Sequence, residues 1–136
     1  MTERIEITTS GAGLYEFTSS VSRLARGDGM MHLFVRHTSC SLLIQENADP
    51  SVQHDLQGFF RRLAPASDDP TMSWITHRSE GPDDMPAHIK AAVLPVSLSI
   101  PVISGKLGLG TWQGIYLFEH RTRPHSRQVL ANLAAA

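Results

Sequence analysis

Residues 37–60 read HTSCSLLIQENADPSVQHDLQGFF, and this passage decides the kind of fold. The run CSLLIQE, 40–46, is short, apolar and closed by polar residues, which is the pattern of a mostly buried strand. Asp49-Pro50 then stops it. An aspartate supplies an oxygen for the free N–H groups of a first helical turn, and a proline there costs no hydrogen bond. Behind them Val52, Leu56, Phe59, Phe60 and Leu63 fall on one face of a helix. The passage is therefore a strand feeding an amphipathic helix, with polar residues crowded at both joints.

Upstream, MMHLFVRH (30–37) is a second strand, with Leu33, Val35 and His37 on one side. The simplest pairing joins it to 40–46 across HTS. ERIEIT is a first strand carrying Ile5 and Ile7 on one face. LYEFTSSVSRLAR has Leu14, Phe17, Val21 and Leu24 at helical spacing, and Gly27 and Gly29 stop it. Downstream, 65–86 is a long polar connection, a length more often functional or flexible than idle. A short helix, PAHIKAAVL, follows from Pro86. VSLSIPVI, IYLFEHRTR and SRQVLANLA then read as strands, with the glycine-rich SGKLGLGTWQG between the first two. About seven strands and two or three helices, not in strict alternation, predict an α+β chain forming one domain over 1–136.

A chain of 136 residues can bury a core without staples, and a single cysteine excludes an internal disulfide. The opening MTERIEITTS lacks an apolar signal core, and no run reaches the roughly 20 apolar residues that span a bilayer. The expectation is a soluble, cytoplasmic protein with no membrane partner. Twelve basic against thirteen acidic residues leave a formal charge of −1, no footprint for nucleic acid.

Seven histidines direct attention to metal and proton chemistry. In THRSEGPDDMPAHIK, Asp84 and His88 stand four apart and share a face if the helix begins near Asp84. Such a pair can coordinate a divalent ion or orient an imidazole for proton transfer; capping by Asp83 or Asp84 beside a solvated histidine is the plainer alternative. His77 and Glu80 add an imidazole and a carboxylate just upstream. Lys90 lies roughly 200° around the helix from His88 and need not share its site. His37 ends its strand at the rim of the core, and Thr38 and Ser39 after it can donate to an anion. Asp49 is a cap, a functional carboxylate, or both. His54 faces away from the core, toward solvent or another subunit. Cys40 starts an apolar strand, where cysteine is usually inert packing. GKLGLGTWQG is no Walker loop, since its lysine precedes the glycines. Glu119, on the apolar side of its strand, requires a cation from Arg121, Arg123 or Arg127. Trp112 fits core or interface, and Gln113 beside it can read a polar ligand.

Taken together, HTSCSLLIQENADPSVQHD, SEGPDDMPAHIK and GTWQGIYLFEHR closely resemble the YjbQ-like family, in order and over residues 3–133. The resemblance implies a single α+β domain with sandwich-like packed sheets, assembling as a homotrimer around a threefold axis. It also implies a thiamine phosphate synthase activity, joining a pyrimidine pyrophosphate to a thiazole phosphate. Carried over by position, the family pattern raises His37, Asp84 and His88 as catalytic residues. Thr38, Ser39, Asn47, Asp49, Glu80, Lys90 and Gln113 become substrate-binding candidates. HTS and ENAD would form one wall of a pocket and EGPDDMPAHIK another, with a divalent ion (magnesium or zinc) offsetting phosphate charge. Convergence of His37, His77 and His88 would favour zinc. The alternatives are a metal-dependent hydrolase or transferase on another phosphorylated small molecule, and a non-catalytic metal- or ligand-binding trimer. RTRPHSR departs from the family pattern, so His125 is not carried over as a site residue.

Overall fold

A computed structural model describes residues 2–136. In chain order it contains β1 (Thr2–Thr9), β2 (Gly13–Glu16), α1 (Thr18–Ser22), β3 (Gly29–Val35), β4 (Cys40–Glu46), α2 (Pro50–Leu63), a 3-10 turn (Pro70–Met72), α3 (Asp84–Val93), β5 (Ser97–Ile103), β6 (Lys106–Leu107), β7 (Gln113–Glu119) and β8 (His125–Ala135). The eight strands form two antiparallel sheets, one ordered β1-β8-β3-β5-β6 and the other β2-β7-β4. The expected α+β domain is present, with three helices.

The sheets meet face to face because strand alternation gives each an apolar side. Met31, Leu33 and Val35 of β3, Ile100 and Val102 of β5, and Val129 and Ala131 of β8 face Leu42 of β4 and Ile115 and Leu117 of β7. Each of these side chains is buried. Among the described residues, no helix is long and apolar enough to cross a membrane.

Three local expectations change. The helix expected over 14–26 is mostly absent, because Leu14 and Tyr15 pair with β7 and only Thr18–Ser22 are helical. Gly13, at φ +151, has a backbone only glycine adopts freely and starts that strand. β4 does not pair with β3; it pairs with β7, so HTS crosses between sheets instead of turning a hairpin. On α2, Phe60 is buried, but Phe59 and Leu63 stand 58% and 46% exposed. Asp49 caps α2 as expected, its Oδ1 accepting from the Ser51 N–H at 2.9 Å. Trp112 is exposed, which excludes it from the core.

The loop after α2 is ordered by its own residues. Arg78 donates to the carbonyls of Ile75, Ser67 and Met72, and Ser67 donates twice to the carbonyl of Pro82. These bonds close the loop on itself and deliver His77 and Glu80 to the start of α3.

Candidate metal centre

The helix α3 begins at Asp84, so Asp84 and His88 do share a face, and the loop brings His77 to the same place. His77 Nε2 donates to Asp84 Oδ2 at 2.6 Å, and His88 Nε2 lies 3.2 Å from that oxygen. One candidate ligand atom from each of the three residues falls within 4.8 Å of the others. The two rings meet edge-on, centroids 5.5 Å apart. Glu80 Oε2 stands 3.2 Å from His77 Nε2 at the more exposed side.

Arg121 fixes the carboxylate. Its Nη1 donates to Asp84 Oδ1 at 2.7 Å, its Nε to Asp83 Oδ2 at 2.9 Å and its Nη2 to the Glu80 carbonyl. The Thr122 N–H and hydroxyl also donate to Asp83 Oδ2. One oxygen of Asp84 is thus held by a guanidinium while the other is left to two imidazoles. Burial raises the Asp84 carboxyl, but the His77 hydrogen bond and the charges of His88 and Arg121 outweigh it, and the net shift is downward. For Asp83 the Arg121 and Thr122 hydrogen bonds overcome burial and hold the carboxyl at about 2. Both carboxylates are ionised at neutral pH.

Two imidazoles and one anionic oxygen form a donor set that suits zinc and similar transition ions, with coordination positions left for solvent or substrate. An orienting partner behind a ligating carboxylate is the usual companion of such a set. Gly81 contributes at the approach to α3, where its φ of +102 turns the chain and a Cβ would sit 3.2 Å from Asp83 Oδ1.

The other expected site residues are divided among different places. His37 is not part of the cluster. Its Nε2 accepts from the Gln128 N–H at 2.9 Å, and burial, with Arg127 next, lowers its pKa. It borders a second polar network, in which Arg127 forms a buried ion pair with Glu119. Thr9 donates to Glu119 Oε1, and Ser39 Oγ accepts from Arg127 Nη2. The pairing expected for Glu119 is therefore met by Arg127, while Arg121 serves the cluster. Thr38, between His37 and Ser39, is exposed on the sheet crossing.

Asn47, Asp49 and Gln113 lie elsewhere. The register pairs Cys40 with Glu119 and Glu46 with Gln113, so HTS and ENAD occupy opposite ends of β4. Seven residues of strand separate them by about 20 Å. Within one chain they do not form one wall, because a strand between two polar joints holds those joints apart. Asn47 instead donates to Glu16, and Gln113 accepts from the Gly110 N–H. Lys90 sits on another face of α3. Cys40 is inert packing, its thiol fully buried and pushed up to about 12 by desolvation.

A concavity of about 670 Å³ runs along α2 past His54, Phe59 and Asp69 and includes none of the cluster. Its breadth comes from exposed side chains on a helix and an adjoining loop. Sequence reading missed Arg121 and Asp83 as parts of the centre. Arg121 was one of three candidate cations for Glu119, and nothing local shows that, just past the end of β7, it turns to α3.

The UPF0047 protein YjbQ-like family model matches residues 3–136. A UPF0047 protein of Synechocystis is 46% identical over 136 residues, covering 97% of this chain and 90% of that one. The UPF0047 protein YjbQ of Escherichia coli O157:H7 is 47% identical over 105 residues, or 77% of this chain and 72% of that one. Among solved structures, a YjbQ/UPF0047 family protein of Clostridium acetobutylicum superposes with a TM-score of 0.85 at 32% identity, covering 97% and 99% of the two chains. A conserved hypothetical protein of Thermus thermophilus gives 0.84 at 35% identity, again covering 97% and 99%.

Proposed function

The chain belongs to the UPF0047 YjbQ-like family, and from that premise we propose a divalent-metal-dependent enzyme acting on a phosphorylated small molecule, with its ion held by His77, Asp84 and His88. The convergence of three ligand atoms within 4.8 Å carries this reading. A bound ion would offset the charge of a phosphate and of a departing phosphate or pyrophosphate. The chain's own residues would do the remainder. His77 and His88 present Nε2, Arg121 keeps Asp84 aimed, and Glu80 Oε2 is placed at the open side to accept a proton beside His77.

The specific reaction proposed is the thiamine phosphate synthase type, joining a pyrimidine pyrophosphate and a thiazole phosphate. Hydrolysis or transfer on another phosphorylated substrate is the second reading, and the donor set favours it. Magnesium, the usual partner of a leaving pyrophosphate, takes oxygen ligands, whereas imidazoles select zinc-like ions. We also propose a homotrimer joined through its sheets; the outward side of the five-stranded sheet exposes Phe34 and Ile103.

The test is one preparation analysed for metal, weighed by light scattering and assayed with both thiamine precursors and with a panel of phosphate esters. Stoichiometric zinc, a mass near three times 15.0 kDa, and turnover lost in Asp84→Asn and His88→Ala are expected. Turnover that survives both substitutions would overturn the assignment. Bound metal without turnover on any substrate would leave a binding role in its place.

A further inference from the structure

Apart from the metal centre, α3 borders a second cavity. Asp84 and His88 point one way, while Asp83, Pro86 and Lys90 fall on a face roughly 145° around the helix. That face closes a cavity of about 270 Å³ against the end of α2 and the strand end of β7, lined by Arg61, Lys90, Asp83 and His120 with apolar Ala64 and Pro86. It is large enough for a small molecule and smaller than most drug-sized sites.

Its charges do not balance. Asp83 is engaged by Arg121 and Thr122. Among the described residues, neither Lys90 nor Arg61 closes an ion pair with any carboxylate. Lys90 is half-buried and shares this cavity with Arg61 and with Asp83. Two cations thus face a cavity whose one carboxylate is already held by Arg121 and Thr122, and an anion would complete the half-buried Lys90.

His120 also lines the cavity. It is only 3% exposed, and its Nδ1 is the one buried side-chain polar atom without a partner among the described residues. Its Nε2 lies 2.9 Å from Ser41 Oγ, the only partner of that hydroxyl among the described residues. If Nε2 carried the proton, both the Ser41 O–H and the Nδ1 lone pair would go unmet. With the hydroxyl donating to Nε2, only an Nδ1–H remains, so the ring edge without a partner is a donor.

We infer that this cavity binds the phosphoryl group of a small ligand, with Lys90 and Arg61 supplying charge, the His120 imidazole a neutral N–H, and Ala64 and Pro86 an apolar wall. The site is separate from the metal centre and does not depend on it. A dianionic phosphate answers two cations, where a carboxylate would answer one.

The test is calorimetric titration of chelator-treated protein with inorganic phosphate, with acetate as the comparison. Saturable phosphate binding is expected, weakened at least tenfold in Lys90→Met and in Arg61→Met. Binding should be unchanged in His88→Ala, which removes the metal centre, and in Arg62→Met, which removes a cation from the neighbouring groove. Arg61 is exposed, so its variant keeps the fold even if Lys90→Met does not. Absence of saturable phosphate binding, equal affinity for acetate, or full affinity in Arg61→Met would each overturn the inference. Loss in His88→Ala would assign the phosphate to the metal centre instead.

Discussion

At the scale of single residues, burial without compensation is what makes His120 titrate abnormally. Desolvation, with the Lys90 charge second, pushes its imidazole down to about 3. In the unfolded chain the same ring takes a proton near its ordinary value of 6.5. The folded state therefore refuses a proton that the unfolded state accepts across that interval. The stability His120 contributes is complete above pH 6.5 and is lost as pH falls toward 3. A single such proton gives a slope of at most about 1.4 kcal/mol per pH unit. Urea midpoints measured between about pH 6.5 and 4.5, inside that window, should fall more steeply for the wild type than for His120→Gln. His37 titrates in both proteins and cancels in the comparison. Parallel slopes would mean that the folded ring is protonated as readily as the free one. Glu119 illustrates the compensated case. Burial raises its carboxyl, but hydrogen bonds from Arg127 and Thr9 and from the Arg121 N–H bring it below its ordinary value. Its position on an apolar strand face announced the need for a cation, and Arg127 was among the three candidates; which one answered depends on β8 lying beside β1 and β3, a long-range fact no local pattern contains.

Among elements, the connection between α2 and α3 shows what a sequence reading reaches and where it stops. Its length and polarity marked 65–86 as functional or flexible, and the i, i+4 spacing of Asp84 and His88 placed those two on one helix face. That spacing needs only helical geometry, so it was legible. The arrival of His77 depends on the loop folding back, and Arg78 accomplishes it by donating to three carbonyls of its own loop. No periodicity encodes such a clamp. The same limit explains β2, where Leu14, Phe17, Val21 and Leu24 match a helix although Leu14 belongs to a strand. A short apolar run fits both periods, and pairing with β7 decides. If Arg78 orders the loop, Arg78→Ala should leave all three ligands in place yet lower zinc affinity about 10- to 100-fold, the range for residues that support metal ligands. Stability should also fall by about 1–3 kcal/mol through carbonyls that exchange protein partners for water. Competition titration with a chromophoric chelator reads the first and urea unfolding the second. Unaltered zinc affinity would mean that His77 reaches Asp84 without the clamp.

Over the whole molecule, the two sheets keep the polar joints of β4 apart and let only one end of β7 meet the loop and α3. That end gathers Glu119 with the buried Arg127 network, His120 with the cavity beside Lys90, and Arg121 with the His77–Asp84–His88 cluster: three successive residues turned toward three surroundings. Past the end of β7 the chain leaves the sheet, and regular alternation no longer dictates direction. The cluster of His77, Asp84 and His88 joins a loop to a helix that the core does not itself hold together, since Asp84, Pro86 and Ala87 are the buried residues of α3 and His77 is half-exposed. Binding there should consequently stabilise the fold as a ligand does. Zinc at about 100 times its dissociation constant adds about 2.7 kcal/mol, which for a domain of this size raises Tm by roughly 10 °C. Chelator should reverse the gain in the wild type, and His88→Ala should melt at one temperature with or without zinc. Because Arg121 orients Asp84 through its own hydrogen bond, the substituted protein should remain folded and differ from the wild type only in this response. A wild-type Tm indifferent to both zinc and chelator would remove the metal from the centre and with it the reaction proposed there, while leaving the phosphate cavity on the other face of α3 to be judged on its own titration.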